Sequence, residues 1–77
     1  MSTTFPRQLI DAARTQERIW SIARRITASY DGMAPAPECR HHAMWRRLSR
    51  LNRECQSLID GIGYWNVKEL RSIARHT

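Results

Sequence analysis

Apolar side chains recur along this chain at alternating steps of three and four residues in two separate stretches. The first runs through Phe5, Leu9, Ala12, Gln16, Ile19, Ala23, Ile26 and Tyr30, with Gln16 the polar exception. The second runs through His41, Met44, Leu48, Leu51, Cys55, Leu58 and Ile62. This spacing keeps one edge of a helix against a partner and predicts an all-α antiparallel hairpin of two long helices.

Helix 1 is expected over about 6–30. Thr4 ahead of Pro6 suits a start, because proline in the first turn loses no hydrogen bond. Asp31-Gly32 followed by Pro35 and Pro37 supplies a stop and a loop over 31–37. Helix 2 is expected over about 38–62, ending at Gly61 or Gly63. A short third helix is expected over about 66–75, opened by a capping box in which Asn66 faces Glu69. Its stripe of Val67, Leu70, Ile73 and Ala74 needs another surface to pack on. The whole forms one small domain over 1–77.

The heptads also give the hairpin two unequal sides. With Leu9 and Leu48 at position a, facing residues have numbers that sum to about 68, and the e positions of both helices line one side. That side carries Ala13, Trp20 and Thr27 from helix 1 and Trp45, Asn52 and Ile59 from helix 2. The g side is more polar, with Gln8, Thr15, Arg40, Arg47 and Glu54, and Ile22 as its exception. The Trp side is therefore expected to be buried, either in a homodimer core or against a partner protein. Within the seam, Gln16 is expected to fix register by bonding to Asn52 across the hairpin.

Size strengthens the case for assembly. Two long helices within 77 residues bury little surface alone, so pairing into a homodimeric helical bundle is the default. Disulfides do not fill the gap. Cys39 and Cys55 lie roughly four turns apart on a continuous helix, too far to bridge, and read as reduced thiols of a cytoplasmic protein. No apolar run reaches the length of a transmembrane helix, and the start lacks the blocks of a secretory signal.

Charge changes the picture more. Thirteen Lys plus Arg against seven Asp plus Glu give a formal charge of +6, and twelve of the thirteen are Arg. Such a surface favours polyanions or acidic protein faces, although a GC-rich genome also raises arginine content. Arg7, Arg14, Arg18, Arg24 and Arg25 decorate the outside of helix 1. Arg46, Arg50 and Arg53, with Arg47 at the flank, do the same on helix 2. A rigid Arg face can track phosphates, but no recognition-helix signature accompanies it. Tyr64, Trp65, Arg71 and Arg75 form a second candidate patch, with the two aromatics either closing the bundle end or contacting a partner.

Catalytic chemistry has little to build on. Cys39, Arg40, His41 and His42 hold zinc-type ligands, but Cys55 and His76 are poorly spaced to complete a site, so no metal is expected. Cys55 sits in the seam as a small apolar filler with no base placed to activate it. No Gly-rich phosphate loop and no pair of carboxylates on an apolar face occurs, so neither enzyme activity nor a cofactor is expected.

In layout the chain is similar to small plasmid-encoded regulators that dimerise as helical hairpins and bind paired RNA, with no shared motif. Length, Arg content and lack of catalytic groups also suit a phage or mobile-element protein that acts on a host macromolecule. The expected function is a non-catalytic regulator or inhibitor that occludes a site on an acidic protein partner. The alternative is a nucleic-acid-binding regulator that uses the outward Arg faces of a helical dimer.

Overall fold

The computed structural model describes residues 4–76 and contains three α-helices and one short 3₁₀ turn among them. Helix α1 spans Arg7–Ala28, α2 spans His42–Ile59, the 3₁₀ turn spans Asp60–Ile62, and α3 spans Tyr64–His76. Helices α1 and α2 run antiparallel, and α3 folds back onto α1, giving an elongated body of 50 × 20 × 18 Å.

The hairpin register is the one the heptads imply. The Gln16 amide donates from Nε2 to Asn52 Oδ1 at 3.1 Å and to Gln56 Oε1 at 2.9 Å. Gln56 passes the polarity on, donating from Nε2 to the Asp60 carboxylate at 2.6 Å. Gln16 is fully buried, and its own Oε1 has no partner. At the other end of the hairpin Tyr30 Oη and His41 Nδ1 are hydrogen-bonded at 2.8 Å, with their rings edge to face.

Helix boundaries shift for local reasons. Pro6 takes the cap position of α1, so Thr4 does not cap it. Helix α1 stops at Ala28 because Asp31 and Gly32 both turn left-handed, with φ of 55° and 80°, and the Gly32 amide closes the end by donating to the Thr27 carbonyl at 2.8 Å. The loop is longer than 31–37. Residues 38–41 form hydrogen-bonded turns (Cys39 N to Ala36 O, His42 N to Cys39 O) instead of the first turn of α2. Gly63, at φ 86°, separates α2 from α3, which begins at Tyr64. The Asn66–Glu69 capping box does not form. Asn66 instead donates from Nδ2 to the Ile62 carbonyl at 2.7 Å and braces the bend.

The third helix decides where the core sits. Phe5, Ala12, Ala13, Cys55, Ile59, Leu70 and Ala74 form one buried cluster, with Leu9, Ile10, Ile62, Val67 and Ile73 around it. Small side chains at Ala12, Ala13 and Ala74 let α3 approach α1 closely, and Leu70 fills the gap without exposure. Full burial of a residue such as Leu70 or Ile59 contributes about 1.5–3 kcal/mol. Packing on α2 is thereby pulled from its a/d edge to its a/e edge. Cys55 and Ile59 are buried, whereas the d-position residues Met44, Leu51 and Leu58 stay exposed at 52%, 39% and 44%.

Candidate functional site

Helix α2 presents three different faces to three different environments. Its inner face carries Cys55 and Ile59, with Trp45, Leu48 and Asn52 half-buried beside them. One flank bears the d-position stripe of Met44, Leu51 and Leu58, which Ile22 of α1 extends at 40% exposure. The other flank is basic. His42, Arg46, Arg50 and Arg53 follow at steps of four, four and three and so share one side of the helix.

The basic flank is concave. Ala34 and Pro35 of the loop, with His42, Trp45, Arg46, Ser49, Arg50 and Arg53, enclose a groove of about 400 Å³. Pro35 is buried, and its carbonyl lies 3.3 Å from His42 Nδ1, which pins the loop as one wall. Among the described residues, the ion pairs are Arg7 with Asp11 at 4.0 Å and Arg75 with Glu17 at 3.3 Å. Neither involves the arginines of α2. Among the described residues those arginines have no ion-pair partner.

A second groove adjoins the first. Ile19, Trp20, Ala23, Trp45, Leu48, Ser49 and Asn52 line a mostly apolar slot of about 180 Å³ between the two long helices. Trp45 and Ser49 belong to both grooves. Trp20 and Trp45 therefore face one slot beside Leu48, as the heptad register implies, and both are half-buried.

The expected burial of the whole Trp side against another chain needs correction. Ala13 and Ile59, the lower part of that side, are covered by α3 of the same chain, because Leu70 and Ala74 pack there. Arg71 of α3 covers part of Trp20, with its guanidinium carbon 4.8 Å from the ring centroid. What remains open is the upper slot at Trp45. No signal in the α3 sequence announced the Arg71 stacking.

The other candidates fall in separate places. Arg47 and Glu54 flank the exposed Leu51 stripe, next to Arg50 on the helix surface, and do not line the basic groove. On α1, Arg14 and Arg18 line a shallow surface with Asp11 and Thr15 that holds no α2 residue, and Arg25 is exposed near the loop end. Tyr64 and Trp65 do not close the bundle. They are 69% and 75% exposed, packed edge to face, with the Lys68 ammonium 5.9 and 5.6 Å from their ring centroids. Arg75 pairs with Glu17, so Arg71 and Arg75 serve the α1–α3 junction.

Cys55, His41 and His42 are held in local structural contacts. Burial pushes the Cys55 thiol above its ordinary value of 9.0, and the neighbouring Glu54 carboxylate adds to the rise. Such a thiol is a poor nucleophile at neutral pH. His41 and His42 each have a ring nitrogen engaged locally, with Tyr30 and Pro35. Among the described residues, no group of three His, Cys, Asp or Glu side chains is placed to hold a metal ion. No described helix is long and apolar enough to cross a membrane. Comparison with protein-family models, with characterised proteins and with solved structures finds no match.

Proposed function

We propose that this chain is a non-catalytic regulator or inhibitor that occupies an acidic site on a protein partner. One observation carries the reading: Trp45 is the shared wall of a basic groove and an apolar slot. Arg46, Arg50 and Arg53 offer forked donors to carboxylates, while the adjoining slot between Trp20 and Trp45 has the size of one large apolar side chain. An acidic segment carrying an aromatic or aliphatic anchor satisfies both at once. The arginines steer the encounter, and the anchor holds the complex. Both cysteines are free, as suits a reducing cytoplasm.

Nucleic-acid binding is the second reading, favoured by four basic side chains on one flank of α2 that have no ion pair among the described residues. The two readings separate in one experiment. A peptide library displayed against the immobilised protein should select sequences in which Asp or Glu flank a Trp, Phe or Leu, and Trp45→Ala or paired reversal of Arg46 and Arg50 to Glu should abolish selection. Fluorescence anisotropy with single- and double-stranded DNA and RNA runs alongside, from about 50 to 200 mM salt. Tight binding with a steep salt slope, and no acidic peptide selected, overturns the protein-binding reading in favour of nucleic acid.

A further inference from the structure

The exposed stripe on α2 is self-complementary in shape order and in charge. Met44, Leu51 and Leu58 are spaced by seven residues, so a two-fold axis passing through Leu51 perpendicular to α2 sets Leu51 against Leu51 of a second copy and Met44 against its Leu58. From Met44 to Leu58 the stripe rises 14 residue steps, or about 21 Å. Ile22 lies on α1 at the level of Arg46, within about a turn of Met44, and adds an apolar side chain at each end of that contact.

Charge selects this direction. Arg47 and Glu54 border the stripe, Arg47 four residues before Leu51 and Glu54 three after it. The antiparallel two-fold therefore brings Arg47 of each copy beside Glu54 of the other, twice over, in the flank position where antiparallel helices exchange ion pairs. A parallel arrangement would set Arg47 at the level of Arg47 and Glu54 at the level of Glu54. Neither residue has an ion-pair partner within its own chain among the described residues.

We propose that two copies of this chain pair through this face, with α2 antiparallel to α2, closing a four-helix bundle whose two-fold axis passes at Leu51. The expected Trp-side dimer is replaced by one on the opposite flank of the hairpin, since α3 already covers part of the Trp side. His42, Arg46 and Arg53 lie about 140–180° round the helix from Leu51 and Arg50 about 100°, so the pairing leaves the basic groove of each copy facing away from the two-fold contact. The proposal does not rest on the function argued above.

Sedimentation equilibrium of the full chain tests it. The expected mass is twice the 9.1 kDa of one chain at micromolar concentration. Leu51→Asp places two carboxylates on the axis and should give a monomer with its helical circular dichroism retained. Arg47→Glu and Glu54→Arg should each weaken the dimer by roughly tenfold, and the double exchange should restore it, because the pairs re-form with reversed sign. A monomeric wild-type protein at about 100 μM overturns the proposal. So does a dimer indifferent to Leu51→Asp, or a double exchange no tighter than the single variants. If Leu51→Asp fails to fold, the charge exchange still decides.

Discussion

Arg71 of α3 stacks over the Trp20 indole of α1, with its guanidinium carbon 4.8 Å from the ring centroid and its Nη1 buried without a hydrogen-bond acceptor. The contact makes Trp20 part of the α1–α3 junction as well as a wall of the slot beside Trp45. Because Nη1 is desolvated, the ring face is its main compensation. Removing the ring should therefore cost more than removing the arginine.

Trp20→Ala is expected to destabilise the chain by about 2–4 kcal/mol, through lost apolar burial and an uncovered guanidinium. Arg71→Ala should cost about 1 kcal/mol, since it also removes the orphaned donor. A double-mutant cycle measured by urea unfolding should return a coupling of about 0.5–1 kcal/mol. A coupling indistinguishable from zero would show that the stacking contributes nothing to α3 docking.

Gln16 supplies the second prediction. Its amide bridges Asn52 and Gln56 but leaves Oε1 buried and unpaired, so the two donated bonds are partly offset by one orphaned acceptor. Gln16→Leu should leave stability within about 1 kcal/mol of wild type, since the volume is kept and the orphan is lost. Gln16→Ala opens a cavity and should cost about 2–4 kcal/mol. Thermal unfolding of both variants separates a packing role from a polar one, and a Gln16→Leu loss as large as that of Gln16→Ala would mean the amide bonds dominate.

Register was legible in the chain because one polar residue in an apolar repeat has few places to go. Gln16 and Asn52, whose numbers sum to 68, are joined as the heptads require. The helix class, the loop and the existence of α3 follow from the same periodicity and from Asp31, Gly32 and Gly63. The rotation of α2 does not. A heptad repeat describes two helices, whereas three share this core, and the small residues Ala12, Ala13 and Ala74 that admit α3 carry a weak periodic signal. Ile22, an apolar residue on an otherwise polar side, was the visible trace of the face left open. The basic groove was only half legible: the Arg46, Arg50 and Arg53 stripe follows from spacing, but the Pro35 wall depends on a loop geometry that spacing does not encode.

Trp65 is the most exposed of the three tryptophans, at 75%, whereas Trp20 and Trp45 are half-buried. Trp65→Phe is expected to change stability by less than about 0.5 kcal/mol, because little area and no hydrogen bond is lost. It should also remove the red-shifted, iodide-quenchable part of the fluorescence and leave a bluer, more protected emission from the other two. Emission that stays equally quenchable would place Trp20 or Trp45 in water, and the slot beside Leu48 would then be open more widely than its geometry implies.

The two thiols should differ in reactivity and in their effect on pH stability. Cys39 is half-buried in the loop, while Cys55 lies in the core with its thiol raised above the ordinary value by burial first and by Glu54 second. A thiol-specific disulfide reagent at neutral pH should label Cys39 about tenfold or more faster, and Cys55 only as the chain opens. The linkage sign follows from the raised value. Well below 9.0, at neutral pH, the Cys55 thiol is neutral in folded and unfolded chains alike, so it adds no pH dependence there. As pH rises toward and through that value the unfolded chain ionises first, releases its proton more readily, and gains stability relative to the fold. The native state therefore loses stability through that window until the folded thiol also ionises. Urea unfolding of wild type and Cys55→Ala at pH 7 and at pH 9.5 checks it: wild type should lose more between the two than the variant does. Equal losses would mean that Cys55 ionises as freely in the core as in the unfolded chain, contrary to its burial beside Ile59 and Leu70.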